Sequence, residues 1–178
     1  MLIDTHELSL HLNDPQWVIF DCRHDLMDAG KGERLYREGH IPGAHFASID
    51  TDLSGEKTGT NGRHPLPSPA AFATFLARHG VAQTAAIVAY DDVGGQFASR
   101  LWWMARWIGL ANVYLLDGGI GQWIAEGRAI STDVPVPQDL PDLEQQDLVH
   151  FFFFPLSAKV TPDTSTNAVA NRNTFFIC

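Results

Sequence analysis

A chain of 178 residues, 45% hydrophobic and 19% charged, suffices for one ordinary domain with a buried core, and its composition argues against disordered or fibrous classes. The formal net charge of −9, with no basic stripe, argues against nucleic acid or anionic membrane as a partner. Two cysteines make no disulfide framework, MLIDTHELSL lacks the regions of a secretory signal, and no apolar run approaches the ~18 residues of a membrane helix, so a soluble cytoplasmic protein is expected.

In chain order, Asp4 and Glu7 have the spacing of a capping box, with Ile3 and Leu8 as its staple. They predict a short helix to about Leu12, stopped by Asn13-Asp14-Pro15. Val18 to Arg23 (VIFDCR) is apolar and turns polar at its end, as a buried parallel strand does at the carboxyl edge of a sheet. Residues 24–39 are charged and loop-like, and GHIPGA (Gly39 to Ala44) is a turn fixed by Pro42 and Gly43. Residues 50–68, with Asn61-Gly62, form a long surface excursion. Ser68-Pro69 caps a helix that buries Phe72, Phe75 and Leu76 and stops at Gly80.

Ala86 to Tyr90 is the next strand. The following helix carries Phe97, Leu101, Met104 and Ile108 on one stripe and Ala98, Trp102 and Ala105 on another, and Trp103 and Trp107 extend the apolar surface until most sides are covered. Val113 to Leu116 is a strand, after which Gly118-Gly119 opens a helix with Ile120, Trp123 and Ile124 inward and Gly127 at its end. This alternation predicts an α/β domain over residues 1–131, a mainly parallel sheet with helices on both faces. Residues 132–149 read as an acidic linker containing Pro135, Pro137 and Pro141. Residues 150–178 read as a Phe-rich tail without domain structure, whose two Phe clusters invite association if exposed.

Ligands of such sheets sit beyond the carboxyl ends of the strands, which selects the loop Asp91, Asp92, Val93, Gly94, Gly95 and Gln96. Gly94 and Gly95 leave N–H groups unobstructed beside a helix N-terminus, and Arg100 is placed to pair with a bound anion or with Asp91 itself. The competing and favoured reading is that Asp91 and Asp92 fill this cradle as an internal cap, because two carboxylates repel a third anion.

The other candidates have plainer accounts. Cys22 lies near the same edge between Arg23, which lowers a thiol pKa, and Asp21, which raises it, and the core-hydrophobe reading is preferred. Cys178 ends the tail and has less claim still. His40 is either a general base or a structural histidine of its turn, the latter favoured. The histidines and cysteines show no paired zinc spacing, and Gly118, Gly119 and Gly121 lack the G-x-G-x-x-G spacing, so neither metal nor cofactor is expected. Ser99 lacks a glycine-flanked elbow.

Four strings in order, VIFDCR, Tyr36 through GHIPGA, YDDVGGQFASRLWWM and LLDGGIGQW, make the chain resemble the rhodanese family over about residues 1–131. More narrowly it resembles the N-terminal domain of two-domain thiosulfate or 3-mercaptopyruvate sulfurtransferases. The resemblance implies a rhodanese-like three-layer domain. In the family's catalytic domains a cysteine opens the loop after the strand equivalent to Ala86–Tyr90, takes up sulfane sulfur as a persulfide held by loop amides, and passes it to cyanide or a thiol. Here that position carries Asp91, so the resemblance implies no catalytic residue in this loop and an inactive domain, with Arg23 and Arg100 left as anion-binding or loop-supporting residues. The expected partner is a C-terminal rhodanese domain missing from this chain by truncation or frameshift. A silent binding module using the Phe-rich tail is the alternative, and a phosphatase of the related fold a weaker third.

Overall fold

The computed structural model describes residues 1–136; most of the 132–149 linker, the whole Phe-rich tail and Cys178 lie outside the described residues. Ten elements follow in order: β1 (Leu2–Ile3), α1 (Thr5–Leu10), β2 (Trp17–Asp21), α2 (Lys31–Glu38), β3 (His45–Phe46), α3 (Pro69–Arg78), β4 (Ala86–Tyr90), α4 (Ala98–Trp107), β5 (Val113–Leu116) and α5 (Gly119–Ala125). The strands form one sheet in the order β1-β5-β4-β2-β3, and every pairing is parallel.

Side chains alternate across this sheet with the period of two that strands impose. Val18, Phe20, Ile87 and Ala89 enter one core with Phe72 and Leu76 of α3 and Leu101 and Met104 of α4. Ile19, Val88 and Tyr90 enter the other with Leu8 of α1 and Ile120 and Trp123 of α5. The result is three layers, α/β/α. Phe20 and Leu101 are fully buried, and each such side chain contributes about 1.5–3 kcal/mol.

The caps follow local chemistry. The Ser68 hydroxyl accepts from Ala71 N at 3.1 Å with Pro69 opening α3, and the Asp4 carboxylate accepts from Glu7 N at 2.7 Å. Ile3 and Leu8, the expected staple, lie in the same core.

The structure departs from the sequence reading in four places. Residues 24–39 are not all loop, since α2 occupies Lys31–Glu38. Only Gly32 and Tyr36 of α2 are buried, so no apolar stripe announces it. It docks through Gly32, where a Cβ would lie 1.9 Å from the Arg23 carbonyl oxygen. The strands β1 and β3, of two residues each, exist through their pairing with β5 and β2. Ile124 is exposed, because the buried stripe of α5 passes through Ile120 and Trp123, and the next residue turns 100° away from Trp123. The outer face of α4 is likewise not covered among the described residues: Trp103 and Trp107 stack on each other at 5.8 Å and are 46% and 42% exposed.

The GHIPGA segment is a brace. Tyr36 Oη donates to Ala44 O at 2.8 Å, and buried His40 stacks on Tyr36. The His40 ring nitrogens face the carbonyls of Tyr36 at 2.7 Å and Asp133 at 3.0 Å, while its backbone exchanges two hydrogen bonds with Ser131. All these partners are backbone carbonyls or structural groups, so His40 acts as a structural histidine.

Gly119 is constrained twice over, by backbone conformation and by close approach. Its φ of +56° lies in the left-handed region, and a Cβ there would sit 2.3 Å from the Asp91 carbonyl oxygen, which accepts from Ile120 N at 3.1 Å. Gly119→Ala is expected to cost at least about 2 kcal/mol in urea unfolding, through strain and a displaced α5. Gly121→Ala, whose added Cβ meets open space, should change stability by less than about 1 kcal/mol in the same measurement.

Candidate functional site

Three loops leave the carboxyl ends of neighbouring strands, after Asp21, after Tyr90 and after Leu116, and the candidate site lies among them. Asp91 follows β4 and is 1% exposed. Its Oδ1 accepts from Val93 N at 2.9 Å and Gly95 N at 2.8 Å, and its Oδ2 from Phe97 N at 2.8 Å and Ala98 N at 2.9 Å. Gly94 and Gly95, at φ +73° and +87°, turn the loop so that these amides converge. Amide bonds to a carboxylate are each worth about 1.5–3 kcal/mol, and together they offset the cost of burying this charge at the start of α4.

The expected cradle is therefore present and occupied by the protein's own carboxylate. Two expectations need correction. Asp92 has no share in the filling: its side chain is exposed, and all four amides go to Asp91. Arg100 pairs neither with Asp91 nor with the cradle. Its guanidinium donates to Leu53 O at 2.9 Å, His64 O at 2.9 Å and Pro65 O at 3.2 Å, because the 50–68 excursion folds back over α4 and offers carbonyls nearer than the loop. Arg100 supports that excursion. Val93 and Gln96 are exposed, and Ser99 Oγ donates to Gln96 O at 3.2 Å.

Arg23 is committed too. Asp21 is fully buried and receives Arg23 Nη2 at 2.7 Å, Arg23 Nε at 3.0 Å and Tyr90 Oη at 2.8 Å. The other ends of this network reach the GHIPGA turn, since Arg23 Nη2 donates to Gly39 O at 2.7 Å and Ile41 N donates to Tyr90 Oη at 3.2 Å. Burial pulls the Arg23 pKa down, the hydrogen bond to Asp21 more than offsets it, and the net shift is upward. Burial, with Asp21 beside it, pushes the Tyr90 phenol up. Arg23 supports the loop through Asp21 and Gly39.

Cys22 is fully buried, and its backbone N–H donates to Tyr90 O at 2.8 Å. Burial raises its thiol pKa well above the ordinary value, and Asp21, Asp91 and Asp52 raise it further, so no thiolate forms near neutral pH.

One grouping escaped the sequence reading. His24 from the loop after β2 and Asp50 and His64 from the long connection between β3 and α3 converge with their donor atoms within 4.8 Å of one another. Linear spacing carries no trace of it, because the three residues are 14 or more positions apart and two separate loops supply them.

No helix among the described residues is long and apolar enough to cross a membrane. Residues 4–126 match the rhodanese-like domain family. The chain is 46% identical over 132 residues to a Pseudomonas aeruginosa protein named "Probable 3-mercaptopyruvate sulfurtransferase", covering 73% of this chain and 46% of that one. It is 41% identical over 99 residues to an Arabidopsis thaliana protein named "Thiosulfate/3-mercaptopyruvate sulfurtransferase 2", covering 56% of this chain and 28% of that one. Its fold superposes on the 3-mercaptopyruvate sulfurtransferase from Leishmania major with a TM-score of 0.70 at 32% identity, over 79% of this chain and 38% of that one. The chain thus spans less than half the length of these relatives. With its all-parallel sheet, its glycine-turned loop after β4 and this match over residues 4–126, the chain belongs to the rhodanese-like domain family.

Proposed function

We propose that this chain is the non-catalytic, N-terminal rhodanese domain of a cytoplasmic sulfurtransferase acting on thiosulfate or 3-mercaptopyruvate. The observation that carries the reading is the Asp91 carboxylate in the four-amide cradle. A persulfide needs a thiol at this point, and a carboxylate offers no sulfur to form one. The cradle amides are also spent, so a sulfur-bearing anion finds no donor there. Cys22 supplies no substitute, being buried with its thiol pushed up.

The names of the relatives support the substrate class, and the chain spans less than half of their length. The proposed partner is a C-terminal rhodanese domain carrying the sulfur-bearing cysteine, or a separate protein bound through the Phe-rich tail. A second reading, a rhodanese-like binding or regulatory module, is favoured by one observation: the stacked, half-exposed Trp103–Trp107 pair on α4.

A thiosulfate:cyanide assay on the purified chain is expected to give no thiocyanate above the uncatalysed background. Turnover that disappears in Cys22→Ser would overturn the proposal. Asp91→Cys places a thiol before four converging amides and a helix start, so its pKa is expected to fall below the ~8.5 of a free cysteine. Thiol titration by alkylation rate against pH reads this directly. A value at or above that of free cysteine would mean that the loop stabilises no anion other than its own carboxylate.

A further inference from the structure

We infer that His24, Asp50 and His64 form a binding site for a divalent first-row transition-metal ion of the Zn2+ type. Two loops supply the three residues, the one after β2 giving His24 and the one between β3 and α3 giving Asp50 and His64, and their donor atoms converge. His64 Nε2 lies 3.2 Å from Asp50 Oδ1, and His24 Nε2 lies 4.0 Å from Asp50 Oδ2. The two imidazoles stand at 85° with centroids 5.8 Å apart, so their edges converge without the rings stacking.

An independent observation points to a ligand. The His24 side chain is only 4% exposed, and its Nε2 is a buried polar atom with no hydrogen-bond partner, facing Asp50. Buried nitrogens are normally satisfied, and an orphan of this kind calls for an account. A cation bound between His24 and Asp50 gives the nitrogen lone pair its partner and leaves the ring proton on Nδ1.

The distances fit an ion with little rearrangement. Metal–ligand bonds of about 2.1 Å at tetrahedral angles separate two donors by roughly 3.4 Å. The three donor atoms lie within 4.8 Å of one another, with His64 Nε2 already 3.2 Å from Asp50 Oδ1, and side-chain rotation closes the remainder. The ring of His24 is held edge-on to Phe97 at 5.1 Å, and Arg100 holds the His64 carbonyl, so both imidazoles stand on supports outside the cluster.

Two imidazoles and one carboxylate suit zinc, cobalt or iron(II) and not calcium or magnesium, which want oxygen throughout. Burial lowers the His24 pKa. Burial raises the Asp50 pKa, and the hydrogen bond and charge of Lys57 help to turn the net shift downward. The positive groups facing the cluster are Arg63 and Lys57, and Asp25 adds negative charge. Lys57 Nζ now sits 3.0 Å from Asp50 Oδ1, but its side chain is about half exposed and free to swing into water as the ion enters. With three protein ligands, a fourth position stays open to water or a small anion.

The test is titration of the full chain, stripped with a chelator and dialysed, with Co2+ followed by its visible ligand-field bands and with Zn2+ by calorimetry. One saturable site is expected in the wild type. His24→Ala and Asp50→Asn should each weaken it at least roughly tenfold, whereas His6→Ala, on an exposed histidine of α1, should not. Zn2+ should raise the Tm of the wild type and leave those of His24→Ala and Asp50→Asn unmoved. Asp50→Asn keeps the side-chain shape, and circular dichroism of each variant separates lost binding from lost folding. Absence of saturable binding, or equal affinity in wild type and in folded His24→Ala and Asp50→Asn, overturns the proposal and makes the cluster a plain hydrogen-bonded His–Asp–His group.

Discussion

The Asp91 carboxylate is the constraint on which the functional edge of this molecule depends. It ends β4, gathers the amides of Val93, Gly95, Phe97 and Ala98, and so sets where α4 begins. Its backbone oxygen accepts from Ile120 N and leaves no room for a Cβ on Gly119, so the start of α5 is fixed by the same residue. A loop built to hold an anion, if left empty, exposes converging amides that cost free energy unless water or a ligand reaches them. Filling it with an internal carboxylate removes that cost.

A second buried carboxylate does the corresponding work one strand over. Asp21 joins Arg23 to Tyr90 across the β2–β4 pair, and from there the network reaches Gly39 and Ile41 in the GHIPGA turn. Removing any one member leaves another buried and unpaired, which costs several kcal/mol where a charge is orphaned. The network accounts for the polar residues buried at this sheet edge: its members satisfy one another.

What was legible in the sequence follows from which forces are local. Strands β2, β4 and β5 are continuous apolar runs, and their existence was readable because burial on both faces demands such runs. The cradle was readable because an acid, two glycines and a helix start are contiguous. By contrast, α2 has no apolar stripe and is held by the contact of Gly32 with Arg23, a tertiary fact. The misassigned partner of Arg100 has the same origin. From sequence the nearest carboxylates are Asp91 and Asp92, but the fold brings Leu53, His64 and Pro65 carbonyls closer from a loop some forty residues away. The His24–Asp50–His64 group is the extreme case, two loops with no shared pattern.

The two clusters at the sheet edge are joined physically, and this bears on what the domain can still do. Phe97 donates its amide to Asp91 and presents its ring edge to His24. Arg100, three residues on, ties the backbone of His64. The helix start that Asp91 caps therefore also positions the imidazoles. Rigidity at one point of the edge holds neighbouring side chains at another. The satisfied carboxylate of Asp91 and the unpartnered nitrogen of His24 are opposite outcomes on the same frame: the first draws four amides to itself, and the second faces the Asp50 carboxylate from a buried position.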